Sequence, residues 1–306
     1  TNPILVMIDE STKEKYARAT ARKGIGTEGD MDWLVKDISA ELRTWGHQGG
    51  ESGSIIIKSD GERAVVAVRD AVGRFHGGRI IPEGPAKGES PSNGVVEEAG
   101  KTIREFTRVM KLQLEDKAGI KLTSDMPILQ WMIRWAAMML SRYKIGKDGK
   151  TAYERRRGRK CKIPVMPFGE IVWYKQVREQ KERRDKMETE WQEGIWLGHT
   201  RCSNEVIIGT PAGVVRAYAV RRQDESARWN GSRVQEMAGT PQQPNPARMT
   251  LEIPIKINLD DDKPEEVQEE VVEDVEPQRR RRRITKKLLS EQGYTEGCEG
   301  CRFSRA

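Results

Sequence analysis

Apolar and polar positions alternate along the first half of the chain in the two periods that separate strands from helices. Short apolar runs bounded by turn residues predict strands, and apolar residues that recur at helical spacing predict helices. The predicted elements, in chain order, are a strand hairpin over 3–21, a helix over 31–45, a strand at 54–60, a helix over 62–75, a strand at 79–83, and helices over 92–116 and 125–143. This order predicts a mixed α/β fold in which helices flank a sheet.

From Met166 onward the pattern changes to short strands separated by glycine-containing turns. The predicted strands cover 170–174, 193–198, 206–209 and 213–220. Closely spaced strands of this length predict a small all-β barrel. Beyond Arg222 the periodicity ends, and residues 223–306 carry too little apolar surface in a regular pattern to order themselves. We therefore expect a disordered, charged C-terminal tail.

The helix that begins near Asn93 places its charged residues on one face. At about 100° per residue these side chains fall within a narrow arc opposite the apolar face. The residues of this face are Glu97, Lys101, Arg104, Arg108 and Lys111. One carboxylate at the head of the helix is thus followed by a stripe of four cations. The stripe is either the solvated face of a core helix or a surface that contacts a polyanion.

A second acidic residue, Asp60, ends the predicted strand 54–60 and is followed by Gly61, which permits a sharp turn. Ligand sites of open α/β sheets gather at the carboxyl ends of strands. Asp60 precedes Glu97 by 37 positions. A strand that ends in Asp-Gly, followed by Asn93-Gly-Val-Val-Glu97 on a basic helix, resembles the second half of the Asp-Asp-Glu site of retroviral and copia-type retrotransposon integrases.

Two further stretches carry the same resemblance. Thr151-Ala-Tyr-Glu154 is similar to the step that follows the catalytic domain in copia-type polyproteins, and Gly194-Ile-Trp-Leu-Gly198 resembles the SH3-like module that comes after it. The resemblance implies a ribonuclease-H-like catalytic core with a mixed sheet, a basic connector, an SH3-like barrel and a charged linker. In this order they would cover residues 1–150, 151–165, 166–222 and 223–306.

The resemblance also implies that the first catalytic aspartate lies on an opening strand that precedes the hairpin over 3–21. The chain would then be an N-terminally truncated core without its first strand. Asp9, which lies 51 positions before Asp60, is the alternative first aspartate. Because Asp9 leads into the hairpin turn, where the family has a similar acidic motif with no catalytic role, we predict that Asp9 is a turn residue.

As a function, the resemblance implies DNA integration by a polynucleotidyl transferase that works with two Mg²⁺ or Mn²⁺ ions on DNA, as a homo-oligomer. Asp60 and Glu97 would be catalytic and would each ligate a metal ion, and the missing aspartate would bridge both ions. The residues implied to contact DNA are Asn93, Lys101, Arg104 and Arg108. The alternative, which the missing aspartate favours for this chain alone, is a non-catalytic nucleic-acid-binding remnant or a polyprotein linker piece.

The net charge of +7 conceals a segregation of charge along the chain. Residues 260–276 hold ten acidic residues and one lysine, a net charge of −9, so the remainder carries +16. A body that basic indicates a polyanionic partner, nucleic acid before membrane. No apolar run approaches the roughly 20 residues that a membrane span needs.

The cysteines and the basic runs bear on location and on further binding sites. Four cysteines form no disulfide framework, which indicates a nuclear or cytoplasmic protein rather than a secreted one. Residues 279–283, with the lysines at 286–287, are either a nuclear-import signal or a solvated linker. Cys298-x-x-Cys301 is half of a zinc-ligand spacing, and we assign no metal to it. The basic run 155–160 either contacts phosphate or is a solvated loop.

Overall fold

The computed structural model describes residues 2–25, 32–50, 53–84, 94–176, 190–247, 256, 257 and 259. The chain divides into two units, residues 1–262 and 263–306, and every described residue lies in the first. The described elements, in chain order, are β1 (Ile4–Ile8), β2 (Lys15–Ala19), α1 (Asp32–Trp45), β3 (Ser54–Lys58), α2 (Arg63–His76), β4 (Arg79–Glu83), α3 (Gly94–Ala118), α4 (Pro127–Tyr143), α5 (Ala152–Arg157), β5 (Ile171–Gln176), β6 (Gln192–His199), β7 (Val206–Thr210), β8 (Gly213–Arg222), a 3-10 turn (Glu225–Ala227) and α6 (Gly231–Glu236). The expected combination of a mixed α/β region with a small β-barrel is confirmed. Within these ranges, no helix has both the length and the apolar character to cross a membrane.

The four strands of the α/β region form two separate two-stranded sheets. β1 pairs antiparallel with β2, with Ile4 opposite Ala19. β3 pairs parallel with β4, with Ser54 opposite Arg79. The single mixed sheet expected from the sequence is therefore not formed by the described residues. The reason is that one edge of β1 pairs with β2 and one edge of β3 pairs with β4. No described strand pairs with the second edge of β1 or of β3.

Helix α1 shares one apolar cluster with α2 and with strands of both sheets. Its predicted inner stripe is confirmed by burial, and the buried residues of the helix are Leu34, Val35, Ile38, Ser39, Leu42 and Trp45. Leu5 of β1 and Ile55 of β3 both pack against this cluster. Full burial of an apolar side chain of this size contributes roughly 1.5–3 kcal/mol. Residues of both sheets thus meet in one apolar cluster, which α1 shares with Val68 and Val72 of α2.

A second, larger core unites helix α4 with the barrel. Strands β5, β6, β7 and β8 close on themselves in that order. Trp135 of α4 packs edge-on against Trp196 of β6, with ring centroids 5.0 Å apart. Gly198 lies beside this pair at φ +107°, and a Cβ at that position would lie 2.3 Å from Cε3 of Trp135. Only glycine permits both this backbone conformation and this approach.

The segment after Arg222 corrects one sequence prediction. Residues 223–247, expected to be disordered, contain the 3-10 turn and α6. Val234 and Met237 are buried in the barrel core, and Trp131 of α4 donates a hydrogen bond to the Gly239 carbonyl at 3.0 Å. A six-residue helix is too short to show a period in the sequence, and tertiary contacts order it. Residues 260–306, where the rest of the predicted tail falls, lie outside the described residues.

The Gly198 contact gives a test of the joint between α4 and the barrel. Gly198→Ala is expected to lower the free energy of unfolding by about 2–5 kcal/mol, because the methyl group overlaps Trp135 in a backbone conformation that disfavours side chains. Gly46→Ala is the matched control, since Gly46 has φ +109° but a Cβ there meets no atom within 4 Å. Gly46→Ala should lower the free energy of unfolding by about 1–2 kcal/mol, because only the unfavourable backbone conformation contributes. Denaturant unfolding measures both, and equal losses would mean that the Trp135 contact is not tight.

Candidate catalytic and nucleic-acid interface

Asp60 lies at the carboxyl end of the parallel strand pair. In the β3–β4 register Lys58 is opposite Glu83, and the Ser59 amide extends the pairing by donating to the Glu83 carbonyl at 3.1 Å. Asp60 follows directly and is exposed. Its carboxylate makes no hydrogen bond or ion pair within the described part of the chain. The backbone therefore positions Asp60 at the strand end while its oxygens stay available.

Glu97 lies in the first turn of α3 and is also exposed. The helix packs on β1 through its opposite face, where Ala99 and Gly100 are buried. A Cβ at Gly100 would lie 3.9 Å from the Val6 side chain of β1, so the helix and strand approach closely. Among the described residues the Glu97 carboxylate has no partner. Asn93, the implied neighbour of this site, lies outside the described residues.

Neither carboxylate belongs to a larger metal-binding group within the described ranges. There, no group of three or more histidine, cysteine, aspartate or glutamate side chains comes together as a metal site would require. Asp60 and Glu97 fit hard divalent cations as oxygen donors, but two carboxylates are an incomplete set for two ions.

Asp9, the alternative first aspartate, belongs to the β1–β2 turn. Its Oδ2 accepts hydrogen bonds from the Thr12 amide at 2.8 Å and from the Thr12 hydroxyl, and its amide donates to the Glu14 carbonyl at 2.9 Å. Lys13 follows at φ +67°. Oδ1 of Asp9 lies 3.7 Å from Nε2 of His47. These contacts confirm the prediction that Asp9 is a turn residue.

The two residues in the N-terminal half of the predicted cationic stripe, Lys101 and Arg104, differ in exposure. Lys101 is well exposed and lies 4.0 Å from Glu105, a surface ion pair that holds it only weakly. Arg104 is half-buried, and its Nε is buried with no hydrogen-bond partner among the described residues. On α3, Lys101 lies one turn beyond Glu97 and Arg104 lies two turns beyond it.

The C-terminal half of the stripe is used inside the protein. Arg108 donates to the carbonyl of Leu259, and Lys111 lies 3.0 Å from Glu115. Burial alone would raise the pKa of Glu115, but the Leu122 amide and Lys111 hold it below its ordinary value. The sequence pattern does not distinguish the four cations. In the structure Lys101 is exposed, Arg104 is half-buried, Arg108 contacts a distant segment and Lys111 pairs within α3.

The basic run 155–160 also contains residues that pair within the protein and residues that are exposed. Arg155 donates to Asp148 at 2.9 Å, and its hydrogen bond lowers the pKa of Asp148 to about 2. Arg156 forms an ion pair with Glu14 at 2.7 Å. Arg157, like the residues at 159–160, is exposed. The exposed part of the run remains a candidate for phosphate contact.

A groove that sequence reasoning did not find lies between this basic connector and the barrel. Its volume is about 680 Å³. Its basic lining residues are Arg159, Lys160 and Lys162.

Three ring-bearing residues of the barrel also line this groove. The ring of Tyr218 on β8 is largely exposed, while Nε1 of Trp196 and Nδ1 of His199 are buried and have no hydrogen-bond partner among the described residues. Burial lowers the pKa of His199 most, and the positive charges of Arg142 and Arg134 lower it further, to about 4. This histidine is therefore neutral. Residues from the connector and three strands meet only in the folded chain, so no local pattern could reveal the groove.

Comparison with known proteins gives little further assignment. No protein-family model matches the chain, and no curated protein matches it. Among solved structures, the chain is similar to one in the "CryoEM structure of simian T-cell lymphotropic virus intasome in complex with PP2A regulatory subunit B56 gamma". That match covers 72% of each chain at 11% sequence identity, with a TM-score of 0.36. A TM-score this low does not establish a shared fold.

The turn contacts of Asp9 predict a structural effect of its removal. Asp9→Ala should lower the free energy of unfolding by about 1–3 kcal/mol, because the Thr12 donors lose a charged acceptor. Asp9→Asn keeps one side-chain oxygen and should lose less. Thermal or denaturant unfolding provides the measurement. Unchanged stability in Asp9→Ala would contradict the turn role.

Proposed function

We propose that this chain is the catalytic-core and barrel portion of a copia-type retrotransposon integrase, which integrates DNA by metal-dependent strand transfer. The observation that carries the proposal is the pair of exposed carboxylates, Asp60 after β3 and Glu97 in the first turn of α3, with Lys101 one turn beyond. The ribonuclease-H-like core and the SH3-like identity of the barrel are parts of this proposal.

In the proposed reaction Asp60 and Glu97 hold the metal ions. When bound, two Mg²⁺ or Mn²⁺ ions activate the attacking oxygen and stabilise the leaving oxygen of an in-line displacement at phosphorus. Asp60 is supplied by the end of a paired strand and Glu97 by the first turn of a 25-residue helix. Rigid elements of this kind keep ligand positions better than loops do.

The third carboxylate of the proposed site would come with a further strand. One edge of β1 and one edge of β3 have no strand partner among the described residues, and residues of both sheets pack against the apolar cluster of α1 and α2. A strand between β1 and β3 would pair with both and join the two sheets into one mixed sheet. The family resemblance places the first aspartate on such a strand.

DNA binding in this proposal is electrostatic. Lys101 and Arg104 would grip phosphates next to the metal ions, and phosphate contacts supply affinity rather than sequence choice. The groove beside the barrel adds three cations and the exposed ring of Tyr218. Cations that track a backbone, with an aromatic ring for stacking, are typical of single-stranded nucleic-acid surfaces.

A second candidate, a nucleic-acid-binding remnant without catalysis, is favoured by the carboxylate count. Within the described ranges, no group of three or more potential metal ligands is present, so Asp60 and Glu97 belong to no complete set. Under that alternative the chain binds DNA, and adding a strand with an aspartate does not produce strand-transfer activity.

The activity test compares the chain as given with an extended chain that carries an upstream strand and aspartate. The given chain should show little or no strand transfer on oligonucleotides with Mn²⁺, because two carboxylates do not fix the separation of two ions. The extended chain should be active. Its Glu97→Gln variant should lose at least about 10²-fold in rate, as expected for loss of a metal ligand.

Glu98→Gln is the matched control for this test, since Glu98 is an exposed glutamate at the next position of α3. It should keep the activity of the extended chain. An inactive extended chain that still binds DNA would support the remnant. Activity of the given chain that is lost on Asp9→Asn would show that Asp9 is catalytic.

A binding test examines the cationic stripe separately. Replacing Lys101 and Arg104 together by glutamine should flatten the slope of log K against log salt by up to about two units, roughly 0.9 per lost phosphate contact. The control replaces Lys117 and Lys147, which are exposed and remote from Glu97 along the chain, so that net charge changes equally. Equal slopes in the two variants would mean that the stripe is only a solvated face.

A further inference from the structure

A small, strongly basic cavity lies where the α/β region meets the barrel. Its volume is about 40 Å³, and it is lined from β2, α1, α4, α5 and the turn after β6. The charged lining residues are Lys15, Arg18, Arg134, Arg142, Arg156 and Arg201, against Glu14 and Glu41. This arrangement is separate from the Asp60 and Glu97 site and independent of the proposed function.

The carboxylates around the cavity are already used by three of the arginines. The ion pairs are Asp37–Arg18 at 2.8 Å, Asp37–Arg201 at 2.9 Å, Glu41–Arg201 at 2.5 Å and Glu14–Arg156 at 2.7 Å. Burial opposes ionisation of Asp37, yet Arg18 and Arg201 hold its pKa well below its usual range. Asp37 is therefore ionised and fully engaged, and no acidic group of the cluster is left over for further cations.

Two arginines of helix α4 remain without a carboxylate. Arg142 is 5% exposed, and its Nη1 is buried with no hydrogen-bond partner. Its Nη2 reaches only the side-chain oxygen of Asn204, at 3.4 Å. Arg134 donates to the His199 carbonyl at 3.2 Å. Within the described ranges, neither guanidinium forms an ion pair.

Unpaired charges that are withdrawn from water are costly, because burial removes hydration without returning an opposite charge. The same effect is visible at Arg134, where burial and then neighbouring arginines lower the pKa to about 9. Guanidinium groups present planar forks of donors that match oxyanions. One water needs about 10–15 Å³ of such space, so a cavity of about 40 Å³ admits a small ion and excludes a nucleotide.

We propose that this cavity binds a small tetrahedral oxyanion, phosphate or sulfate in size, through Arg134, Arg142 and Arg156. Arg156 lines the cavity as well, held in place by its ion pair with Glu14 at 2.7 Å and by donation to the Thr44 carbonyl at 3.1 Å. Arg134 and Arg142 come from α4, Arg156 from α5, and Arg201 of the barrel lines the same space. The anion thus neutralises the excess charge and ties the α/β region to the barrel.

Calorimetric titration of the full chain with inorganic phosphate, in chloride buffer of matched ionic strength, tests the site. Saturable binding with a dissociation constant below about 1 mM is expected, and Arg142→Gln should weaken it at least about tenfold. Arg74→Gln is the matched control, because Arg74 is exposed on α2 and does not line the cavity. It should bind phosphate as the parent does.

Thermal unfolding supplies a readout that a merely structural arginine would not give. In chloride alone, Arg142→Gln should unfold at the same temperature as the parent or higher, because it removes an unpaired buried charge. Saturating phosphate should raise the unfolding temperature of the parent and leave that of the variant unchanged. If Arg142→Gln does not fold, Arg142→Lys, which keeps the charge and loses the fork, should still bind phosphate more weakly.

Two outcomes overturn the proposal: no saturable binding of phosphate or sulfate by the parent, or equal binding by parent and Arg142→Gln. A short DNA duplex distinguishes the source of the anion. Competition between duplex and phosphate would also contradict the proposal, because a cavity of about 40 Å³ excludes a nucleotide. Phosphate binding that is unaffected by saturating duplex would identify a free ion.

Discussion

The packing of helix α4 is the constraint on which the rest of the structure depends. Trp135 meets Trp196 of the barrel on one side, and the hydroxyl of Ser141 accepts a hydrogen bond from the Lys15 amide of β2 on another. At the end of the helix, Tyr143 donates to the carbonyl of Ile163 in the connector at 2.8 Å. The α/β region, the connector and the barrel therefore meet on one helix. A helix covered in this way must be apolar nearly all round, which explains why this segment reads as a long apolar run.

Predictions from the sequence succeeded where one element carries the whole pattern. The α1 stripe and the barrel strands follow from local periodicity, and the role of Asp9 follows from the turn it opens. They failed where order comes from distant contacts. Helix α6 is too short for a period and is ordered by its burial against the barrel core. The separation of the strands into two sheets depends on which edges find partners, and a strand's own sequence does not specify that.

Some charged groups of the candidate sites could be predicted from local sequence, and others are brought together only by the fold. Asp60 and Glu97 could be singled out because each follows a local rule, a strand end and a helix start. The excess of buried cations could not, because it is assembled from four elements and a turn that lie far apart in sequence. Arg134 illustrates the difference: in the sequence it interrupts an apolar run, and in the structure it faces a polar seam between two halves of the molecule. A lone cation in an apolar helix is therefore a reason to look for an enclosed polar site.

Two observations on the described residues of the α/β region fit the further strand of the proposed function. The first is structural: β1 and β3 each present an edge without a strand partner among the described residues, although both sheets share the α1 core. The second is chemical: Asp60 and Glu97 offer two carboxylates where the proposed two-ion reaction needs a third. Exposure of these carboxylates is not by itself informative, since many surface acids are unpaired. Their position is informative, because a strand laid between β1 and β3 would run beside the strand that Asp60 ends. One segment would then complete the sheet and the ligand set together.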